Sequence, residues 1–337
     1  MSLLPFLHRA SSGTHLTAEE AYQAMSALLA GSASDSVIAA FLVALKMKGE
    51  TAAELAGFAR AMRERMIVID AGADVIDTCG TGGDGSGTFN ISTAAAIVTA
   101  GAGARVAKHG NRSLSSSSGS ADVLEALGVR ISMTPEEAAC AVREIGLGFL
   151  FAPHLHPAMK FAQPVRRELK MRTVFNLLGP LANPAGARRQ LIGAPSAESA
   201  ELMAAALSHL GAVRAFVVHG HGGLDEISTT GPTQVWEVSG ERVTRYEWTP
   251  ANFGLTADSL DELAGGDAAH NAEIIRSILA GKAGPPRNIV LANSAAALVL
   301  SGLAPDLTSG MALASQAIDS GAAARVLERL KQNFPFS

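Results

Sequence analysis

Residues 75–93 read Val75-Ile76-Asp77-Thr78-Cys79-Gly80-Thr81-Gly82-Gly83-Asp84-Gly85-Ser86-Gly87-Thr88-Phe89-Asn90-Ile91-Ser92-Thr93. A short β-type run ends in a loop with five glycines in eight residues, and an Ala-rich helix pattern follows. Closely spaced glycines expose backbone N–H groups and let a ligand approach the main chain. Ser92 and Thr93 then set hydroxyls and free amides at a helix start, a ready anion site. Gly80, Gly82 and Gly85 also fit Gly-x-Gly-x-x-Gly, but a nicotinamide-binding unit needs an acidic residue about 20 positions on. There the next strand ends in Lys108-His109, and no Asp or Glu lies between Asp84 and Asp122. No Gly-Lys-Ser/Thr follows, which removes a Walker loop. The stretch is a phosphate cradle on a strand–turn–helix unit, for neither a dinucleotide nor ATP in the usual mode.

Outward from this unit, β-type runs recur at Arg105–Lys108, Phe149–Ala152, Leu191–Ala194 and Ala215–His219, with helix patterns between them. Ser92, Ser120 and Thr134 are the expected N-caps. Strand–helix alternation implies a mostly parallel sheet covered on both faces. Gln234–Val238 and Arg242–Tyr246 flank Ser239-Gly240 and read as a hairpin. Helices are expected over about 269–281, 288–302, 309–319 and 321–332. The first 66 residues are helical in pattern, with capping boxes at Thr17–Glu20 and Thr51–Glu54. A helix over about 35–47 carries an unbroken apolar run, Val37–Leu45, which predicts burial on every side; a subunit interface is one way to achieve it. A strandless basic and apolar segment, about 160–186, is expected to join these helices. The expected domains are therefore a helical one, 1–70 with about 160–186, and an α/β one, 71–337.

Composition narrows the function classes. The chain has 337 residues, 48% hydrophobic and only 17% charged, which excludes intrinsic disorder. Lys and Arg number 27 against 31 Asp and Glu, a net charge of −4 without the basic excess of a nucleic-acid or anionic-membrane binder. Cys79 and Cys140 are too few and too far apart for a disulfide scaffold or a zinc ribbon. No secretory h-region opens the chain, and the apolar segments 91–104 and 289–304 fall short of the roughly 20 residues a span needs. A soluble, cytoplasmic protein is expected.

Three more stretches carry chemistry. Lys108-His109-Gly110-Asn111-Arg112, followed by Ser115–Ser118, Gly119, Ser120 and Asp122, follows the second strand and makes a second phosphate cradle beside the first. Two anion loops suggest a substrate with phosphate groups in two places. His154 and His156 precede Arg166-Arg167; two His without a third ligand argue against a metal, and either arginine is suited to gripping a carboxylate. Asp225-Glu226, after the strand Ala215–His219, suit Mg²⁺ bridging to phosphate.

Taken together, Gly80–Asp84, Asn90–Thr93, Lys108–Arg112, Gly119–Leu127, His156–Lys160, Arg172–Pro184, Leu224–Glu226 and Gly281–Ala297 closely resemble the anthranilate phosphoribosyltransferase family, in order along nearly the whole chain. Lys170, where glycine is common, and Asn288, where Asp is common, depart from its pattern. The resemblance implies a small helical domain plus a larger α/β domain with a mostly parallel central sheet, the fold shared with pyrimidine nucleoside phosphorylases. It implies transfer of a phosphoribosyl group from phosphoribosyl pyrophosphate (PRPP) to anthranilate, Mg²⁺, and a homodimer. It places PRPP on Gly80, Gly83, Asp84, Thr88, Asn90, Ser92, Thr93, Lys108, Ser116 and Ser120. Anthranilate falls on Gly80, Asn111 and Arg166, and Mg²⁺ on Ser92, Asp225 and Glu226. His109 and His154 are candidate lining residues, with His109 the candidate proton acceptor. The alternatives are a nucleoside-phosphorylase-like enzyme and a nucleic-acid-binding relative of the same fold.

Overall fold

The computed structural model describes residues 2–113 and 117–335. It opens with a helix that no local capping pattern marks, α1 (Leu4–Ser11), whose start carries Pro5 and no side-chain cap. Its Phe6 and Ala10 are buried, and it packs on α3. The two threonine capping boxes form as expected and start α2 (Ala18–Leu29) and α4 (Ala52–Arg63). Between them, α3 (Asp35–Lys48) buries Ile38, Phe41, Leu42 and Leu45. The rest of its apolar run is only half-covered within one chain, Ala40 is exposed and Met47 is 83% exposed.

The remainder alternates strands and helices: β1 (Ile76–Gly80), α5 (Ile91–Gly101), β2 (Val106–Gly110), α6 (Ser120–Ala126), α7 (Pro135–Cys140), β3 (Leu147–Phe151), α8 (Ala152–Leu155), α9 (Gln163–Leu169), α10 (Phe175–Leu181), β4 (Arg189–Gly193), α11 (Ala197–His209), β5 (Arg214–Gly220), β6 (Thr233–Ser239), β7 (Arg242–Trp248), α12 (Ala268–Leu279), α13 (Pro285–Ser301), α14 (Leu307–Asp319) and α15 (Ala322–Asn333). The strands lie in the order β3-β2-β1-β4-β5-β6-β7. The first five are parallel, and β6–β7 is the expected hairpin, antiparallel to β5.

One face of the sheet packs on α5 and α12–α15, with Ile97, Val106, Phe216 and Leu298 in the same core. The other face, through Cys79, Ile192, Val217 and Trp236, joins a second core with Met25, Phe41 and Leu42 of the helical part. Val165 of α9 and Phe175 and Leu178 of α10 belong to that second core. The helical segment is thereby anchored to the sheet through α9 and α10, which touch α3 and α4 respectively. Among the described residues no helix is long and apolar enough to cross a membrane.

Two of the three expected N-caps shift. Thr134 caps α7 as expected. Helix α5 instead starts one step before Ser92, with Asn90 in the cap position, and α6 follows Gly119, so Ser120 is its first helical residue. At α5 a distant carboxylate, Glu226, accepts from the Ser92 amide, whereas at α6 the carboxylate is the helix's own Asp122, which reaches back to the Gly119 amide.

Candidate active site

The strand order reverses between β1 and β4, and α/β sheets bind ligands outside the carboxyl ends of strands at such a point. Both strands end there in glycine, Gly80 paired with Gly193. A Cβ on Gly80 would overlap the Asp225 carboxylate, and one on Gly193 would overlap the Asp225 main chain. The two glycines thus form a notch into which Leu224–Glu226 descends from β5. Gly193 is not among the site residues expected from the sequence. Its signal was a lone glycine inside the run Leu191-Ile192-Gly193-Ala194, which marks close backbone approach.

In this notch three carboxylates converge. Asp225 Oδ2 accepts from the Gly82 amide at 2.9 Å, and Asp84 Oδ2 accepts from the Asp225 amide at 3.4 Å. Glu226 Oε1 accepts from the Ser92 amide at 3.0 Å and so serves as the cap of α5. Burial and the Asp84 charge push Asp225 up to about 7, and burial and the Asp225 charge push Glu226 up to about 8. Burial disfavours the ionised form and like charges add to that cost. Among the described residues no three His, Cys, Asp or Glu close around one point as metal ligands do. The donor set nevertheless fits a hard divalent cation completed by ligand oxygens, because such an ion would relieve both causes at once.

The glycine loop keeps the Gly83 and Asp84 amides open, while those of Thr81, Gly82 and Ser86 are bonded. Gly82 and Gly83 both have positive φ, +69° and +67°, which only glycine adopts cheaply. Thr88 and Ser86 share a hydroxyl contact at 3.2 Å, and the loop is braced from outside by the Thr88–Ala264 bridge. Asn90 is fixed by Asn271 Nδ2 at 2.9 Å and by Ser118. Thr93 turns its hydroxyl inward, where it has no partner, and lines a small cavity with Ala96, Lys108 and Phe149.

Lys108 lies beneath this turn. It is 3% exposed, and its ammonium donates to the Thr78 carbonyl and to Ser92 Oγ at 3.2 Å. Burial pulls its pKa down, opposed by the nearby Asp77 charge. Asp77, itself buried, accepts from the His109 amide at 3.1 Å and from Asn183 at 2.8 Å. On the far side, Asn111 accepts from the Ala121 amide and the Ser120 hydroxyl through its carbonyl, both at 3.2 Å. Arg112 is not free for a ligand, because Asp122 and Glu125 pair with it. Ser116, expected in the PRPP set, lies outside the described residues.

The histidine expectation needs one correction. His154 is exposed and stands edge-on to Phe151, so it lines the surface. His156 takes the place expected of it, with ring centroid 5.1 Å from that of His109. Two residues of separation across a short helix put the two rings on opposite sides, which the sequence pattern does not show. Burial, with the neighbouring His156, lowers His109 to about 3, and burial lowers His156 to about 4, so both are neutral near pH 7. His109 Nδ1 meets the Gly179 carbonyl at 3.1 Å, and the Nε2 atoms of both rings are buried without a partner. Gly179 lies on α10, whose Phe175 ring carries the Arg166 guanidinium at 5.2 Å. Arg166 is half-buried, burial lowers its pKa, and it has no acidic partner among the described residues. Its neighbour Arg167 is exposed.

Comparison with known proteins gives the chain its family. Residues 72–324 match the glycosyl transferase family a/b domain and residues 4–66 its helical bundle domain. The anthranilate phosphoribosyltransferase of Solibacter usitatus is 60% identical over 326 residues, covering 96% of each chain. The chain belongs to the anthranilate phosphoribosyltransferase family. The Chloroflexus aurantiacus member is 54% identical, covering 94% of this chain and 93% of that one. The Thermus thermophilus crystal structure superposes with a TM-score of 0.93 at 45% identity, covering 98% of this chain and 99% of that one. The Saccharomyces cerevisiae enzyme, solved in complex with PRPP and Mg, gives 0.90 at 30%, covering 98% and 97%. As a member of this family the chain is an enzyme of tryptophan biosynthesis. It transfers the 5-phosphoribosyl group of PRPP to the amine of anthranilate and releases pyrophosphate. The nucleoside-phosphorylase and nucleic-acid-binding alternatives are not favoured by these relatives.

Proposed function

We propose that PRPP lies across the carboxyl ends of β1 and β4, with one phosphate cluster on Gly80, Gly83, Asp84 and the first turn of α5, and the other toward Ser120. The observation that carries this reading is the convergence of Asp84, Asp225 and Glu226 on a loop of open amides at the strand-order reversal. Asp225 and Glu226, with the Ser92 hydroxyl, would hold Mg²⁺, which when bound supplies charge neutralisation at the departing pyrophosphate. Complexes of the yeast relative with PRPP and Mg support this. Thr88 and Asn90 shape the loop, Lys108 acts from below by orienting Ser92, and Thr93 donates from its main chain.

Anthranilate is the ligand that completes Arg166. A half-buried guanidinium without an acidic partner is suited to a planar carboxylate, gripped bidentately. Asn111 and Gly80 border the same space. The yeast relative has been solved with 4-fluoroanthranilate, which supports an aromatic carboxylate as acceptor substrate. The aromatic amine is already neutral, so no strong base is required. His109, its pKa held far below the ordinary value, is neutral, and its unpartnered Nε2 is a weak acceptor that would not retain a proton. Catalysis then rests on holding the nucleophile in line and on stabilising the leaving pyrophosphate.

The helical unit, 1–70 with 160–186, works as one body in this reading, and the enzyme as a cytoplasmic homodimer. The half-covered apolar face of α3, ending in exposed Met47, supports the dimer. The test is a fluorescence assay of anthranilate consumption with and without PRPP and Mg²⁺, run on Arg166→Ala beside the parent. A charge-assisted contact to a carboxylate is worth about 1.5–3 kcal/mol, so KM for anthranilate should rise roughly 10- to 150-fold with little change for PRPP. A rise for PRPP alone would place Arg166 elsewhere.

A further inference from the structure

Arg172, between α9 and α10, has no assigned role, yet it touches the phosphate loop at three points. Its Nη1 donates to the Gly82 carbonyl at 2.6 Å and to the Gly83 carbonyl at 2.9 Å, and its Nη2 donates to Thr81 Oγ1 at 3.3 Å. Its own carbonyl accepts from Lys46 Nζ of α3 at 3.1 Å. The residue therefore spans from the helical part to the loop after β1.

The geometry of the peptide unit gives this contact a consequence. In a trans peptide the C=O and the following N–H point in opposite directions. Turning the Gly82 and Gly83 carbonyls onto one guanidinium turns the Gly83 and Asp84 amides the other way. Neither of those amides has an acceptor among the described residues. Two successive amides on one side of a loop, with left-handed backbone at Gly82 and Gly83, form an anion-binding concavity. Without a cation on the carbonyl side, a loop so rich in glycine has many other conformations open to it, and ordering it would be left to the ligand.

We propose that Arg172 is a positioning residue that pre-sets the Gly82–Gly83 turn, so that the Gly83 and Asp84 amides face the pyrophosphate before PRPP arrives. It acts through the loop and not on the reacting atoms. The inference rests on the reading that this loop binds the pyrophosphate of PRPP.

The test compares the parent enzyme with Arg172→Ala, Arg172→Lys and a loop control, Gly83→Ala, which forces a side chain into a positive-φ position. Hydrogen exchange of residues 81–86 is measured in the free enzyme, and PRPP and anthranilate KM and kcat are measured with Mg²⁺. Arg172→Ala should speed loop exchange without ligand and raise KM for PRPP about 10- to 100-fold, the factor expected for lost hydrogen bonds to a charged group. KM for anthranilate should hold and kcat should change far less. Arg172→Lys should fall between, because an ammonium lacks the planar fork in which Nη1 holds both carbonyls while Nη2 reaches Thr81. Unchanged loop exchange in Arg172→Ala overturns the proposal, as does an equal rise in both KM values with a lowered melting temperature. If Gly83→Ala leaves KM for PRPP unchanged, the loop reading itself fails. If Gly83→Ala raises it while Arg172→Ala does not, only the role of Arg172 fails.

Discussion

Two charged clusters of the molecule are treated in opposite ways. In the helical part, Lys48 and Glu54 have side chains at most 1% exposed and meet at 2.8 Å. Glu54 also accepts from the Leu16 amide at 2.8 Å and the Thr51 amide at 2.9 Å, so opposite charges are paired and the carboxylate oxygens are occupied. At the ends of β1 and β4, Asp84, Asp225 and Glu226 bear the same sign, each accepts from a backbone amide, and burial raises Asp225 and Glu226. The first cluster is complete within the protein. The second is not complete within the protein; in the proposed reading a cation and a ligand complete it, which is what separates a structural charge from a site.

The sharpest way to break this contrast is to neutralise the second cluster. Asp225→Asn with Glu226→Gln should lower kcat by orders of magnitude, since charge stabilisation by a metal is worth several kcal/mol. The melting temperature should stay or rise, because repulsion is relieved and Asn and Gln still accept from the loop amides. Full activity at limiting Mg²⁺ would reduce the pair to an acidic turn. The mirror experiment is Glu54→Gln, which leaves Lys48 buried without its counter-charge. Breaking a buried pair costs about 3–5 kcal/mol, read by denaturant unfolding, while KM for PRPP should not move.

A third region sharpens the comparison, the neutral pair His109 and His156. Their folded pKa values, about 3 and about 4, lie below the ordinary 6.5, so the unfolded chain takes up protons first on acidification. Their contribution to stability is whole above about pH 6.5 and is lost as pH falls toward 3, by a few kcal/mol. His156→Phe should flatten this part of the stability–pH curve; an unchanged slope would mean that the rings are hydrated and titrate normally. The smallest effect belongs to Lys170, which ends α9 with φ +48°. Glycine adopts that conformation without the steric penalty of an L side chain, roughly 1–2 kcal/mol, offset in part by its entropy. Lys170→Gly should therefore stabilise by about 1 kcal/mol or less in denaturant unfolding, with anthranilate KM unchanged.

Much of this was legible before the structure. The β-type runs lie within two residues of the observed strands, because apolar runs bounded by glycine and polar turns leave a short buried strand little alternative. The three threonine boxes mark true helix starts since both partners sit within one turn. Helix α1 was missed because it has no such local marker and is held by packing on α3. Ser92 and Ser120 also fit a local cap pattern, but each lies inside its helix: Glu226, from the loop after β5, accepts from the Ser92 amide, and Asp122, in the first turn of α6, accepts from the Gly119 amide at 2.9 Å.

The order of residues by itself determined the helix and strand types, the glycine loop and the acidic pair, since each depends on neighbours a few positions apart. Which groups meet was decided by the tertiary structure. Gly193 has meaning only because Asp225 passes above it, His156 rather than His154 meets His109 only because of where α8 turns, and Arg172 reaches the Gly82 carbonyl across 90 residues of chain. Those contacts depend on the register of β1 against β4 and on the packing of α9 and α10. These are long-range quantities that local sequence patterns do not carry.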